Sequence, residues 1–199
     1  ARARAATLLR SALTHPLVMQ MKRPLQDLRW RVKGARLRNP PVPERVEAVL
    51  FVCLGNICRS PFGALRAERL LEEAGRGDLL CTSAGIRPSQ AARSPGEACA
   101  VARRYGLSLD RHVPQALTRG LVAAHDMVVV MEASQLEQVQ AAYPELHDRV
   151  FLLPLYDDAA RGDYERYNIA DPFGQPLEAF ETCYERMDRA LRRWLQTVV

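Results

Sequence analysis

The chain has 199 residues, of which 48% are hydrophobic and 26% charged, a composition typical of a folded globular protein. It contains no apolar run of about 20 residues and no apparent signal peptide, which argues against a transmembrane or secreted protein. Its five cysteines show no zinc-ligand spacing. We therefore expect a soluble protein of the reducing cytoplasm, without a metal or cofactor.

Charge divides the chain into two parts. Residues 1–45 contain 11 Lys and Arg against two Asp and Glu, a net charge of +9, which leaves −4 of the total of +5 for residues 46–199. The segment Pro40-Pro41-Val42-Pro43 is typical of a semi-rigid linker. We predict a basic N-terminal extension with a Pro-rich linker over residues 1–45 and one domain, long enough to bury a core, over residues 46–199.

The basic extension has a helical pattern of its own. After Pro24, apolar residues recur at helical spacing with Arg and Lys between them, at Leu25, Leu28, Val32 and Ala35. An amphipathic basic helix could bind an anionic membrane surface or an acidic partner and so place a cytoplasmic protein at the membrane. The same composition also fits a transit peptide or a solvated, partly disordered extension. Nucleic-acid binding is not expected, because only Trp30 offers a stacking platform.

In chain order, residues 46–199 alternate predicted strands and helices. The strands fall at Ala48–Val52, Leu79–Ser83, Met127–Met131 and Val150–Leu153, and the helices at Pro61–Ala74, Gly96–Tyr105, Ser134–Ala142 and Leu177–Gln196. This alternation predicts an α/β fold: a doubly wound sheet of about four parallel strands with helices on both faces. In such a fold, functional loops lie at the carboxyl ends of strands.

The first predicted strand leads into a loop that combines a thiol with a guanidinium group. The loop reads Cys53-Leu54-Gly55-Asn56-Ile57-Cys58-Arg59-Ser60. Gly55 and Asn56 readily adopt unusual backbone angles, so the chain can curl with successive N–H groups pointing inward. Ser60 and Pro61 predict the start of a helix, with Ser60 as N-cap and Pro61 as first residue. Inward N–H groups beside a helix N-terminus predict a site for a tetrahedral oxyanion.

Cys53 and Arg59 give this anion site a chemical function. A thiol near a helix N-terminus and an arginine loses its proton readily, which favours Cys53 as a nucleophile. The planar guanidinium group of Arg59 matches two oxygens of a phosphoryl group and can stabilise that group during transfer. The same spacing of Cys and Arg occurs by chance in other proteins, but the accompanying Gly, Asn, Ser and Pro favour the functional interpretation.

Four segments resemble the low-molecular-weight protein tyrosine phosphatases. The run Val-Leu-Phe-Val-Cys-Leu-Gly-Asn-Ile-Cys-Arg-Ser-Pro from Val49 to Pro61 is similar to the family signature, and Thr82-Ser83-Ala84-Gly85 to its second strand. Asp171-Pro172-Phe173-Gly174 resembles the general-acid loop, and Pro176-Leu177-Glu178-Ala179-Phe180 resembles the bacterial branch. The resemblance extends from about Glu47 to Leu195. It implies hydrolysis of phosphotyrosine or aryl phosphate monoesters through a phosphocysteine intermediate.

The resemblance also implies a role for individual residues. Cys53 is the nucleophile, Arg59 binds the phosphoryl group, and Asp171 protonates the leaving tyrosyl oxygen and then activates water. The implied substrate-binding residues are Leu54, Gly55, Asn56, Ile57, Cys58, Ser60 and Phe173. Without the resemblance, the pair Asp171-Pro172 would be only a turn signal.

Two further residues are implied to support the loop from behind. Ser83 and His112 stand where the family has a Ser and a His that hydrogen-bond the loop asparagine, here Asn56. The family commonly reads Ala-Arg-Gln after its His-x, whereas this chain reads Pro114-Gln115-Ala116. The segment after His112 therefore departs from the family pattern.

Other functions remain open at the level of the sequence. Phosphoarginine phosphatases resemble this family but tend to have Thr where this chain has Ile57, which favours phosphotyrosine. An arsenate reductase-type thiol redox enzyme would require a further close cysteine pair, and Cys81 and Cys99 are too far apart in sequence to provide one. A binding module that only grips phosphate would require neither a nucleophile nor an acid.

The same resemblance indicates the protein's binding partners and suggests two roles for Cys58, the second cysteine of the loop. It implies a phosphotyrosine protein as substrate, with a bacterial tyrosine kinase as one candidate. Cys58 is either a thiol that closes a reversible, protective disulfide with Cys53 or a small apolar filler.

Overall fold

The computed structural model describes residues 30–32, 34–90, 93–160 and 162–199. Leu25, Leu28 and most of the predicted basic extension lie outside the described residues, so the predicted amphipathic helix is described only from Trp30 onward. Within the described part of the chain, no helix is long and apolar enough to cross a membrane.

Four parallel strands form the centre of the domain. The strands are β1 (Ala48–Cys53), β2 (Leu80–Gly85), β3 (Met127–Val130) and β4 (Val150–Leu152). The α-helices are α1 (Arg59–Glu73), α2 (Gly96–Arg104), α3 (Arg119–Ala123), α4 (Ala133–Ala142), α5 (Asp163–Tyr167) and α6 (Leu177–Val198), and 3₁₀-helices cover Pro144–Arg149 and Leu153–Tyr156. The sheet order is β2-β1-β3-β4, with all pairs parallel. The predicted doubly wound α/β fold is confirmed.

Strand β1 is buried along its whole length and separates two hydrophobic cores. Val49 and Phe51 pack into one core, and Leu50 and Val52 pack into the other. Successive side chains of a strand point to opposite faces, so a continuous apolar run is what burial on both faces requires. The chain passes from β1 to β2 on one side and later to β3 on the other. The carboxyl end of β1 is therefore a topological switch point, where open α/β sheets bind ligands.

The structure differs from the predictions at the start of one helix and in two short helices. Helix α1 begins at Arg59 with Cys58 as its N-cap, and no side chain caps it. Ser60 lies inside the helix because its hydroxyl group hydrogen-bonds within the loop instead, 3.0 Å from the sulfur of Cys53. Helices α3 and α5 were not predicted, since each spans only five residues, too few for a periodic pattern to emerge.

The described end of the extension contacts the domain. The amide group of Asn39 pairs with the backbone of Leu152 in β4, donating to its carbonyl (3.2 Å) and accepting from its N–H (2.7 Å). Trp30 and Leu37 pack against one of the hydrophobic cores. Val32 and Ala35, on the face that was predicted to be apolar, are exposed. The division at residue 45 stays a prediction, and Trp30, Leu37 and Asn39 contact the domain.

Candidate active site

The loop after β1 directs its carbonyl groups outward. Five of its carbonyl oxygens accept hydrogen bonds from residues outside the loop: Cys53 from Ile86 N (3.0 Å), Leu54 from Arg87 N (2.9 Å), Gly55 from Ser89 N (2.9 Å), Asn56 from His112 Nε2 (2.7 Å) and Cys58 from Tyr184 Oη (3.1 Å). In a trans peptide group the C=O and N–H bonds point in opposite directions. The N–H groups that follow these carbonyls therefore point toward the centre of the loop, where an oxyanion would be held.

Cys53 lies at the base of this loop. Its side chain is buried, and its sulfur lies 3.3 Å from the N–H nitrogen of Asn56 and 3.0 Å from Oγ of Ser60. Ser60 also accepts a hydrogen bond from the Asn56 side chain (2.8 Å) and lies 3.2 Å from the carbonyl oxygen of Ala84. The Ser60 hydroxyl proton can therefore point to either of two acceptors, the Cys53 sulfur or the Ala84 carbonyl oxygen. Hydrogen bonds donated to the sulfur stabilise a thiolate.

Asn56 holds the loop in its curled form. It is fully buried with φ of 54°, in the left-handed region that side chains other than Gly seldom adopt. Its amide group donates to Oγ of Ser83 (2.9 Å) and accepts from the N–H of Gln115 (2.9 Å). His112 donates through Nε2 to the Asn56 carbonyl. Burial lowers the pKa of His112, although this hydrogen bond acts in the opposite direction.

Two supporting residues were not predicted as part of the site. Gln115 lies in the segment that departs from the family pattern, yet it also donates through Nε2 to the Ser83 carbonyl (2.8 Å). Gly85 ends β2, and an added Cβ there would lie 3.0 Å from both the Asn56 Cβ and the Leu54 carbonyl oxygen. A side chain at Gly85 would therefore displace the loop.

We predict that Asn56→Ala destabilises the loop more than Asn56→Gly does. Both variants lose the buried side-chain hydrogen bonds, each worth about 1–3 kcal/mol when a partner is left unsatisfied. Only alanine also carries the cost of positive φ, about 1–2 kcal/mol. Urea unfolding of the two variants, with Ser134→Ala on α4 as a control, measures this difference. Equal unfolding free energies for the two variants would contradict it.

Arg59 is surrounded by carboxylates although it is almost fully buried. Its Nη1 forms an ion pair with Glu132 and donates to the Ile169 carbonyl (2.9 Å), and its Nη2 lies 2.6 Å from Oδ2 of Asp171. Burial alone would lower the pKa of Arg59, but the carboxylates of Asp171 and Glu132 outweigh this and raise it. Its buried Nε has no hydrogen-bond partner among the described residues. One donor of the guanidinium group is therefore left for a ligand.

Glu132 was not predicted as a site residue, although its position after a strand could have indicated that role. It follows β3 after one intervening residue. Strands β1 and β3 are parallel neighbours, so their carboxyl ends meet at the same edge of the sheet. Glu132 comes just after the buried, β-branched run of β3. Its carboxylate could therefore have been predicted to lie beside the loop that follows β1.

The cavity above Cys53 collects most of the predicted site residues. It is lined by Cys53, Leu54, Gly55, Ile57, Cys58, Arg59, Arg87, Ser89, Asp171 and Phe173. Asp171 accepts a hydrogen bond at Oδ1 from the N–H of Phe173 (3.2 Å), and the Phe173 side chain is exposed at the mouth. Asn56 and Ser60, which were expected to bind substrate, are fully buried and hold the loop from behind.

Two further observations bear on the chemistry available here. Burial, together with the charge of Asp171, raises the pKa of the Cys58 thiol far above its usual value, so it stays protonated. The described residues contain no cluster of three or more His, Cys, Asp or Glu that could hold a metal ion. The polar and reactive groups that line the cavity are the thiols of Cys53 and Cys58, the guanidinium groups of Arg59 and Arg87, the hydroxyl group of Ser89 and the carboxyl group of Asp171.

Comparisons with known proteins identify the family. The sequence model of the family "Low molecular weight phosphotyrosine protein phosphatase" matches residues 48–199. The probable low molecular weight protein-tyrosine-phosphatase EpsP of Ralstonia nicotianae is 32% identical over 153 residues, which is 77% of this chain and 97% of EpsP. The tyrosine phosphatase Wzb of Escherichia coli K30, solved with sulphate, superposes with a TM-score of 0.68 at 30% identity, over 77% of this chain and 99% of Wzb.

A second solved structure shares the fold at lower identity. The YwlE arginine phosphatase of Geobacillus stearothermophilus is 24% identical, with a TM-score of 0.63 over 75% of this chain and 91% of YwlE. The family match and the EpsP alignment cover nearly the whole domain. The chain therefore belongs to the low molecular weight protein-tyrosine-phosphatase family of phosphoric monoester hydrolases.

Proposed function

We propose that this protein is a tyrosine phosphatase that hydrolyses phosphotyrosine and aryl phosphate monoesters through a phosphocysteine intermediate. One observation carries the proposal: the Cys53 sulfur, the Arg59 guanidinium group and the Asp171 carboxyl group line a single cavity. Each would have a separate role, as nucleophile, phosphoryl ligand and proton donor. A phosphate-binding module would require only the second of these groups.

Substrate binding would rearrange the ion pairs of Arg59. A phosphate dianion at the centre of the loop would accept from the inward N–H groups and from the buried Nε of Arg59. It would also compete with Asp171 for Nη2, which lies 2.6 Å from that carboxylate. This competition would release the Asp171 carboxyl group from its ion pair with Arg59 and leave it available to the leaving oxygen. Glu132 would keep Nη1 in place meanwhile.

The first chemical step would transfer the phosphoryl group to sulfur. The Cys53 thiolate attacks phosphorus, the bond from phosphorus to the tyrosyl oxygen breaks, and Asp171 gives its proton to that oxygen. In the second step Asp171, now a carboxylate, takes a proton from water while the water oxygen attacks phosphorus. The P–S bond breaks, which returns the Cys53 thiolate and releases inorganic phosphate.

The alternative functions make different demands on the cavity. A thiol redox enzyme would require a further pair of close cysteines, but Cys81 lies in β2, Cys99 in α2 and Cys183 is buried in α6. Burial raises the pKa of both Cys81 and Cys183 to about 12, so both stay protonated. For phosphoarginine, the residue that matters is Ile57, which lines the cavity and has no hydroxyl group to orient a substrate nitrogen.

Substrate preference tests the proposal directly. We expect the full chain to hydrolyse a phosphotyrosine peptide with kcat/KM at least about 10-fold above that for the matched phosphoarginine peptide, a margin that one pocket contact can supply. Ile57→Thr should reduce the ratio of the two kcat/KM values, and Val32→Thr, at an exposed residue outside the cavity, is the control. Thiol-dependent arsenate reduction is measured on the same sample. Preference for phosphoarginine, or arsenate reduction faster than ester hydrolysis, would contradict the proposal.

The partner and the extension complete the proposed function. A phosphotyrosine protein, with a bacterial tyrosine kinase as one candidate, is the proposed substrate because relatives such as EpsP and Wzb are named tyrosine phosphatases. The net charge of +9 over residues 1–45 supports binding to an anionic membrane surface or an acidic partner. Cytoplasmic location and this surface role both stay predictions.

A further inference from the structure

The described end of the extension packs onto the helix that precedes Asp171. The Trp30 ring stacks on Tyr167, with centroids 6.1 Å apart and an interplanar angle of 28°. It also meets Tyr164 edge to face at 6.2 Å and 70°. Beside it, Nε of Arg31 donates to Oδ2 of Asp163 (3.2 Å). All three contacts fall on α5, so the extension covers one side of that short helix.

Gly34 makes this packing closer than a side chain would allow. A Cβ added at Gly34 would lie between 2.0 and 2.5 Å from three ring carbons of Tyr167, far inside any real contact distance. The backbone of the extension therefore rests directly on the Tyr167 ring. Further along, the two hydrogen bonds between Asn39 and Leu152 fasten the extension to β4.

Helix α5 is connected to the catalytic groups over a short distance. Asn168 follows the helix directly, donating through its side chain to the Tyr164 carbonyl (2.9 Å) and accepting from the N–H of Ala133 (3.3 Å). The next residue, Ile169, accepts from Nη1 of Arg59 (2.9 Å). Asp171 is two residues beyond. A displacement of α5 would therefore move both the Ile169 carbonyl group, which binds Arg59, and the Asp171 carboxyl group.

The same segment is also held by α6. Arg186 donates to the carbonyl oxygens of Glu165 (2.7 Å) and Asn168 (3.0 Å) and pairs with the buried carboxylate of Asp157 (3.1 Å). Burial opposes ionisation of Asp157, but hydrogen bonds from Arg189 and Arg186 outweigh it and lower the pKa of that group. The segment that ends in Asp171 is therefore held by both α6 and the extension.

The extension is not part of the shared domain. The alignments include 97% of EpsP and 99% of Wzb but only 77% of this chain, and the family match begins at residue 48. Trp30 and Gly34 precede that match, so the domain that relatives share lacks their contacts with α5.

We propose that Trp30 and Gly34 are positioning residues for general-acid catalysis. Their packing on α5 holds the segment of residues 168–171 where the Asp171 carboxyl group can deliver its proton to the leaving oxygen. The inference rests on the proposed role of Asp171 as the acid. Neither residue touches the cavity, so both act through α5.

The test compares two substrates that depend differently on the acid. Phenyl phosphate has a basic leaving group that must be protonated, whereas 4-nitrophenyl phosphate has an acidic one. In the full chain, Trp30→Ala and Gly34→Ala should lower kcat/KM for phenyl phosphate about 10-fold, because a misplaced catalytic group loses rate steeply. The loss for 4-nitrophenyl phosphate should stay below about 2-fold. Trp30→Phe should recover most of the activity.

The variants separate positioning from stability. Gly34→Ala keeps every aromatic ring and improves helix propensity, but its added Cβ would overlap the Tyr167 ring, so the extension and α5 must move apart. Val32→Ala, at a side chain that is 76% exposed on the same turn, is the control and should behave as the parent chain. Adding Trp30→Ala to Asp171→Asn should cause no further loss with phenyl phosphate, since residues that act through one group are not additive.

Each result decides the inference. Equal losses on both substrates, or full additivity with Asp171→Asn, would show that Trp30 contributes to general stability only. A leaving-group effect in Asp171→Asn but none in Trp30→Ala and Gly34→Ala would overturn the inference while leaving the proposed function intact. No leaving-group effect in Asp171→Asn would overturn both.

Discussion

Cys53→Ser is expected to abolish hydrolysis of aryl phosphates while the protein still binds an oxyanion. A hydroxyl group is not ionised near neutral pH and is a far weaker nucleophile than a thiolate, even with the Asn56 N–H and Ser60 hydroxyl groups beside it. The inward N–H groups and Arg59 do not depend on the sulfur. Turnover of an aryl phosphate and calorimetric binding of inorganic phosphate measure the two properties separately.

Cys58→Ser is the matched control for this variant. Cys58 lines the same cavity, but its raised pKa keeps it protonated, so most of the turnover should survive its replacement. More than a trace of hydrolysis by Cys53→Ser would remove Cys53 as the nucleophile. Loss of phosphate binding in the same variant would place the sulfur in the binding step instead.

Asp171→Asn is expected to slow substrates with basic leaving groups by about 10²-fold or more and those with acidic leaving groups far less. An amide cannot give up a proton, and a poor leaving group such as phenolate depends on that proton. The same change removes one carboxylate from Arg59, whose Nη2 lies 2.6 Å from it. Inorganic phosphate should therefore bind as tightly as in the parent chain or more tightly, because it no longer displaces a charged partner.

Measurement of kcat/KM over a series of aryl phosphates gives this dependence. Asp158→Asn is a suitable control, since Asp158 is exposed and pairs with Arg193 on α6, away from the cavity. Equal losses across the series would mean that Asp171 has no acid role. Weaker phosphate binding would mean that Asp171 helps to form the site instead of competing for Arg59.

Sequence patterns alone predicted the four strands, the four longer helices and the loop after β1. β1 and β3 were predicted to within one residue at each end, because a buried strand in a parallel sheet requires a short apolar run and that run is local. The curl of the loop depends on Asn56, which accepts positive φ at low cost. These features involve neighbouring residues, so pattern and turn chemistry suffice to predict them.

The distant groups that share the site are known from the folded structure and not from the sequence pattern. Arg59 meets Glu132 because the parallel strands β1 and β3 end at one edge of the sheet, whereas Asp171 arrives there on the segment that follows α5. No short-range pattern encodes which carboxylates meet at this edge. The contact of Trp30 with α5 likewise joins residues more than a hundred positions apart. Ser60 shows the same limit on a smaller scale, since local preference predicts an N-cap whereas the buried loop takes its hydroxyl group for Cys53 and Asn56. Local preferences are worth about 1 kcal/mol, and a buried hydrogen-bond network outweighs them.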